Sequence, residues 1–529
     1  MEVCDLLLDE YVNLNPTLND FFMEEKWSKK RHVQPNIYSE DYYRKQLLID
    51  KKFLRILENK ETLTYYDRII KDDLFRSVHY EEDYQIYMYM PINSLNNILI
   101  DYVNECSGNG YYTFKTNRDY TDFMKRLQSL KGITNEIIDK MKRGIRKKVT
   151  LYSGTVDLMI HTMNDIIKNK TYKHQKKASL TSKLNKAIDQ NLVIQLKRLN
   201  EFLMNEYYEH CSQTMGLCSY SGGKKYYRSL VKDIAFNNST PEQVHRLGHE
   251  ELKRLLKIKK KIEKDIGVKD IDSHIKLNPK LYYQNKKDIL DDLHKIRDRT
   301  IKDTQELFHM KLNKRQYYKI KEVPQSLGNH FAFYTPSDLK RKNVGTFYMN
   351  VSRPEKINKK ELYVLAIHEG IPGHHYENEY QNMSKIPKYF KIALYPPYSE
   401  GWGLYCEGLG NYKDKYEHYF KNQYDIQRTL RLIIDTGIHY YGWSYTKCYE
   451  TMKQYLQMDD MMIRNELLRY NDSPGQALSY KIGEKVIMDL RNRCVEKGIS
   501  IQDFHTYILE MGPCPLKELV YHFDKWILS

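Results

Sequence analysis

Apolar residues recur along most of this chain at intervals of three and four, the spacing of an amphipathic helix rather than a strand. Between Leu196 and Tyr208 they fall at Leu196, Leu199, Phe202 and Leu203, one stripe among charged neighbours. A second helix is announced at its start. Ser239 or Thr240 can cap, Pro241 suits the first turn, and Glu242 complements the dipole. Val244, Leu247, Leu255, Ile258 and Ile262 continue the stripe, interrupted at Glu251, which reads as a packing helix. Residues 219–227 and 278–285 are turn-rich breaks too short for linkers. No internal repeat or low-complexity tract is present.

The pattern changes near residue 325. Aromatic and β-branched residues then flank a polar turn containing Asn343, Val344 and Gly345, which predicts a short two-stranded element. A helix follows directly, with Leu362, Leu365 and Ala366 expected to be buried. The reading is therefore mainly α, with a small β element beside a buried helix. It divides the chain into a mostly helical region 1–325 and a region 326–529 that carries the candidate chemistry, within one continuous domain.

Composition narrows the function classes. The 529 residues are 41% hydrophobic and 29% charged, enough for a substantial core. No stretch approaches the roughly 20 uncharged apolar residues of a membrane span, so no membrane partner is expected. The acidic start, MEVCDLLLDEYVNLNP, is not a secretory signal, and a cytoplasmic address is the expectation. The eight cysteines form no CxxC pair, so reduced thiols are expected; Cys211 and Cys218 lack a second pair to complete a metal site. The net charge of +16 raises nucleic-acid binding, but the basic residues are spread and interleaved with acids. The clusters at 142–148 and 257–264 read as solvated helix faces, which disfavours that partner. Oligomeric state is left open.

The candidate chemistry lies in HEGIPGHH, residues 368–375. Two imidazoles reach one zinc ion most simply from positions i and i+4 of a helix, but here that position is Pro372. On an unbroken helix six residues turn through about 600°, which carries His374 off the face of His368. Seven turn through about 700°, which returns His375 to the face but about 10 Å along the axis. Pro372 removes a backbone donor and Gly373 tolerates unusual dihedrals, so a bulge at Ile371-Pro372-Gly373 would restore His374 to the ligand position. His374 is favoured, with His375 the alternative. Glu369, directly after His368, is placed to act as general base toward water whose pKa zinc lowers toward about 7. Glu400 in YSEGWGLYCEGLG is the best third ligand, and Glu407, two turns on, suits a role orienting a ligand.

These segments resemble the DUF885 proteins of the zincin-type metallopeptidase clan. The family pattern HExxPGHH matches 368–375, and EGWALYxE is similar to EGWGLYCE at 400–407. RLIIDTGIHYYGW at 431–443 and RYNDSPGQALSYKIG at 469–483 agree as well, and weaker similarity extends through 240–252 to the start. The resemblance implies a two-lobed helical fold with a cleft, one wall of it built by the region 1–325. It also implies zinc held by His368, His374 and Glu400, with Glu369 as catalytic base. Gly403 replaces the alanine of the pattern, a change expected to alter packing only.

Peptide hydrolysis needs a donor for the oxyanion of the tetrahedral intermediate. His439, Tyr480 and Arg431 are the candidates, in that order. Gly475 and Gln476, after Pro474, are expected to shape a tight helix entry beside the site, and Tyr348 and Asn350 to hold substrate backbone by strand addition. The functional expectation is a zinc metallopeptidase acting on short peptides. Its rivals are a hydrolase of a non-peptide amide or ester and a non-catalytic binding protein.

Overall fold

The computed structural model of the chain describes residues 2–79, 85–175, 179–235, 239–324, 331–339 and 344–528. These form a succession of helices and one three-stranded sheet, the mainly α architecture that the periodicity predicts. They gather into two compact units. The first takes the chain up to Met215 with Ser219–Tyr226; the second takes Gly216–Cys218, Tyr227–Val323 and nearly all that follows. No described helix is long and apolar enough to cross a membrane, and all eight cysteines are free thiols.

The first unit packs its helices around Leu99, Phe123, Leu127, Ile137 and Val156. Leu196, Leu199 and Leu203 are fully buried in the same core, and Phe202 nearly so. Their helix, Ile194–Phe202, is flanked by wider π turns at Asp189–Val193 and Leu203–Tyr207. Two cations of the basic run at 142–148 are paired: Arg143 with Glu40 and Glu136, and Lys142 with Glu206.

In the second unit, Thr240 caps the helix Pro241–Ile266. The cap is reciprocal with Gln243, and Glu242 lies in the first turn, where its charge complements the dipole. This helix packs along the helix Lys415–Thr436. The sheet has the order β1-β3-β2, with β1 (Lys319–Glu322) parallel and β2 (Ala332–Thr335) antiparallel to β3 (Thr346–Met349). The predicted two-stranded element is thus β2 and β3, and Asn343 of its turn lies outside the described residues. Strand β1 was hidden because the segment KIKE is largely exposed and carries no apolar alternation. Its presence corrects the expectation for Tyr348 and Asn350: β3 is central, so both of its edges are already paired and no substrate strand can add to it.

The helix Leu362–Glu369 is buried at every position from Leu362 to His368. It sits among the helices Lys286–Thr304, Pro396–Glu407 and Lys415–Thr436. An element walled in on all sides needs apolar residues all round, which is why LYVLAI shows no amphipathic stripe.

Candidate metal centre

The helix of His368 does not bulge; it stops. Helical backbone ends at Glu369, residues 370–373 form a turn around a cis Ile371–Pro372 peptide, and a new helix runs His374–Met383. Gly373 donates to the Ile367 carbonyl, and a Cβ there would lie 2.0 Å from the His368 carbonyl oxygen. The turn is pinned by the neighbouring helix Pro396–Glu407. Trp402 Nε1 donates to the Pro372 carbonyl at 3.0 Å and the Cys406 thiol approaches the same oxygen. The break, with His374 opening a second helix, brings that residue round.

His368, His374 and Glu400 converge, with one potential ligand atom from each lying within 4.8 Å of the others. Glu400 Oε2 is 3.5 Å from His368 Nε2 and 3.4 Å from His374 Nε2, and the two imidazole rings stand at 87°. Ligands held at roughly 2.0–2.1 Å from a tetrahedral ion lie about 3.3–3.4 Å apart, so these residues fit a small divalent cation.

Each imidazole is backed at its other nitrogen. His368 Nδ1 donates to Glu407 Oε1 at 2.8 Å, which fixes the tautomer that turns the Nε2 lone pair toward Glu400. His374 Nδ1 lies 3.6 Å from Glu377, a carboxylate that also accepts from Ser399 and Gln381. Glu407 is fully buried and stands near Lys421 and Arg428, whose charges offset its own. Burial opposes charge on His374, yet Glu377, Glu400 and Glu369 raise it well above the usual imidazole range. Burial likewise works against ionised Glu400, and the two histidines outweigh it and hold the carboxyl well below its ordinary value. A carboxylate and two imidazoles attracting a shared positive charge are the donor set a cation satisfies.

His375 points elsewhere. It is fully buried, its Nε2 lies 2.6 Å from the Gln316 carbonyl and its Nδ1 3.0 Å from the Tyr334 hydroxyl. With both nitrogens engaged and burial lowering its pKa to about 4, it is a neutral core residue. Glu369 is half-buried at the end of its helix, and its charge is felt at His374.

Tyr480 and Arg431 lie together beside His368. The Tyr480 ring is nearly parallel to the His368 imidazole, 6.3 Å between centroids, and the Arg431 guanidinium sits 4.2 Å from the Tyr480 ring centre. Arg469 donates to the Tyr480 oxygen at 3.0 Å. His439 is different. Its Nδ1 accepts from the Leu217 backbone at 3.0 Å and its Nε2 donates to the Tyr470 carbonyl at 2.9 Å. Both nitrogens are spent on backbone, so His439 has no donor for a substrate oxyanion. Gly475, in a left-handed turn, donates to Asp435, and Gln476 accepts from Arg469.

Sequence reasoning missed Glu377, Glu466 and Arg469. Glu377 carried a readable signal, since it follows His374 by one helical turn. Gly403 has a sharper consequence than altered packing: a Cβ there would come within 2.9–3.1 Å of the His368 imidazole, so this chain gives its first histidine more room than the alanine pattern would.

A family model described as "Bacterial protein of unknown function (DUF885)" matches residues 28–522, and the chain belongs to that family. Two solved structures share its fold. One, titled a putative lipoprotein from Colwellia psychrerythraea, superposes with a TM-score of 0.84 at 18% identity over 99% of both chains. Another, titled a putative lipoprotein of unknown function from Shewanella oneidensis, gives 0.72 at 16% identity over 100% of this chain and 99% of that one. A partial sequence match links 37% of this chain to 32% of the UvrABC system protein C of Mycoplasma capricolum subsp. capricolum, at 24% identity. The chain thus spans about a third of the length of the curated relatives it matches.

Proposed function

We propose that this protein is a zinc-dependent hydrolase that cleaves amide bonds in short peptides. One observation carries the reading: two histidines present Nε2 to a single Glu400 oxygen at 3.5 and 3.4 Å, with a second carboxylate, Glu369, directly beside the first histidine. A zinc ion held by His368, His374 and Glu400 would supply Lewis-acid polarisation and a water of pKa near about 7. The remaining chemistry belongs to side chains. Glu369 takes a proton from the attacking water and passes it to the leaving amine, as a carboxylate at the edge of a charged site can do. Glu407 and Glu377 hold the imidazoles in orientation. Tyr480 accepts from Arg469, and its own hydroxyl hydrogen has no acceptor among the described residues. That hydrogen is the donor assigned to the developing oxyanion, in place of His439.

The test joins metal analysis to cleavage of a peptide library, run beside a panel of non-peptide amides and esters. The wild type should carry about one equivalent of zinc and cut peptides. Glu369→Gln should keep the zinc and lose hydrolysis by about a hundredfold or more. Persistent activity in that variant removes Glu369 from the role of base, and turnover confined to the non-peptide panel replaces the substrate class.

A further inference from the structure

Beside the candidate metal centre lies a group of charges of which hydrolysis as described uses only the Arg469 bond to Tyr480. Arg431 and Arg469 share one carboxylate, Glu466: Arg431 Nη2 donates to Oε2 at 3.2 Å and Arg469 Nη1 to Oε1 at 3.1 Å. Tyr470 donates to the same Oε2 at 2.6 Å. Two guanidinium groups against one carboxylate leave one positive charge in excess. It is not a surface charge, because the Arg431 side chain is only 6% exposed and Arg469 25%.

Donors are in excess too. Arg431 Nη1 is buried with no hydrogen-bond partner. The Arg469 Nη2 hydrogens go to Gln476 and Tyr480, while Nε and the second Nη1 hydrogen find no acceptor among the described residues. Native proteins rarely leave a buried guanidinium both unneutralised and under-bonded. The excess adjoins the metal centre: Tyr480, which receives the Arg469 bond, faces the His368 ring, and the Glu400 charge is felt at Arg469. With a divalent ion bound, Glu400 and Glu369 would balance its two charges; Glu377 lies against His374, and both arginines pair only with Glu466 among the described residues, so the positive excess is local to them.

We infer that Arg469, with Arg431 behind it, anchors the free C-terminal carboxylate of the substrate, which makes the enzyme one that removes residues from the carboxyl end of short peptides. The inference rests on the hydrolase reading above and names its substrate class. One excess positive charge suits a monoanionic carboxylate better than a phosphate dianion, and a guanidinium edge matches carboxylate geometry. Arg431 is too buried to touch substrate; it supplies charge from beneath the Tyr480 ring, and Arg469, the more exposed, makes the contact. The bond broken is the C–N bond upstream of the anchored end. Water oxygen adds to the carbonyl carbon, and the leaving amine departs with the proton carried by Glu369. The products are a shortened peptide carboxylate and a free amine fragment.

The test uses full-length, zinc-reconstituted protein and matched peptides ending in a free carboxylate or a carboxamide. Free acids should be cleaved about tenfold faster or more in kcat/KM, near the carboxyl end, as expected for one charge-assisted anchor. Arg469→Gln should abolish the preference while zinc content holds; because Arg469 also bonds the Tyr480 oxygen, both peptides slow, and the ratio of acid to carboxamide rates is the readout. Binding is read separately by calorimetry in the Glu369→Gln background, with N-acetyl-trialanine and its carboxamide as probes. The acid should bind about tenfold tighter or more, and adding Arg469→Gln should equalise the two. Equal rates for acid and amide in an active enzyme overturn the anchor and leave the hydrolase standing. A preference that survives Arg469→Gln overturns the assignment to Arg469. No hydrolysis of any peptide, with selective binding of the acid, overturns the hydrolase and keeps the anchor. Equal binding of the two probes overturns the anchor in either case.

Discussion

Gly401 and Gly483 meet backbone to backbone: a Cβ on Gly401 would lie 2.6 Å from the Cα of Gly483, and one on Gly483 would lie 2.7 Å from the Cα of Gly401. This is where the helix Pro396–Glu407 crosses the helix Ser479–Glu496. Glu400 directly precedes Gly401 and Tyr480 lies one helical turn before Gly483, so the close approach sets the spacing between the candidate metal site and Tyr480.

Gly483→Ala should therefore force the helices apart. A Cβ there would also fall 1.9 Å from the Pro397 carbonyl oxygen, which cannot rotate away. The expected loss is about 1–3 kcal/mol of stability together with weaker metal binding. Chemical denaturation and zinc titration read the two effects. A variant as stable and as tightly metallated as the parent would show that the crossing does not control the site.

The choice between adjacent histidines gives a clean contrast. His374→Ala should empty the protein of zinc with a modest change in the stability of the metal-free form. His375→Ala should retain zinc but unfold more easily by about 2–4 kcal/mol, because it deletes a buried ring bonded to Gln316 and Tyr334. Metal analysis of the two purified variants decides the matter, and zinc loss in His375→Ala instead would reverse the ligand assignment.

Glu407 and Glu377 each stand behind one of the two candidate ligand histidines, but their surroundings differ. Either change to glutamine should weaken zinc binding by about 10–100-fold. Glu407→Gln should also destabilise the fold, since it removes negative charge from beside Lys421 and Arg428. Breaking such a buried pairing typically costs about 3–5 kcal/mol. Chelator competition measures the first effect and denaturant midpoints the second; equal midpoints for the two variants would contradict the charge argument.

Acid should expose the buried histidines. Burial lowers the pKa of His439 to about 4, with its bond to the Tyr470 carbonyl partly opposing the shift. The unfolded chain takes up a proton at about 6.5, so between pH 6.5 and 4 it binds a proton that the folded state refuses. Stability from this group is complete above pH 6.5 and is lost as pH falls toward 4, by up to about 3 kcal/mol. His439→Gln should thus be less stable than wild type at pH 7, with the gap closing as the pH approaches 4. A gap independent of pH would show that His439 titrates normally.

What the sequence by itself determined is local. The spacing of Leu196, Leu199 and Leu203 placed three buried residues, Thr240 and Pro241 set a helix start, and HEGIPGHH announced both a metal-type motif and the backbone break its proline requires. Such features depend on neighbours a turn or two away, whose periodicity and capping chemistry are legible along the chain. Tertiary structure decided the partners. His439 looked as available as Tyr480 until the Leu217 backbone, 222 residues distant, took one of its nitrogens. Strand β1 has no apolar alternation and exists because β3 lies alongside it. The excess charge of Arg431 and Arg469 around Glu466 arises only when the helices Lys415–Thr436 and Asp460–Asp472 pack together. A hydrophobic pattern states which face of a helix is buried, but not which helix it will meet. The identity of each buried polar partner is therefore fixed by packing, where an unpaired group is penalised.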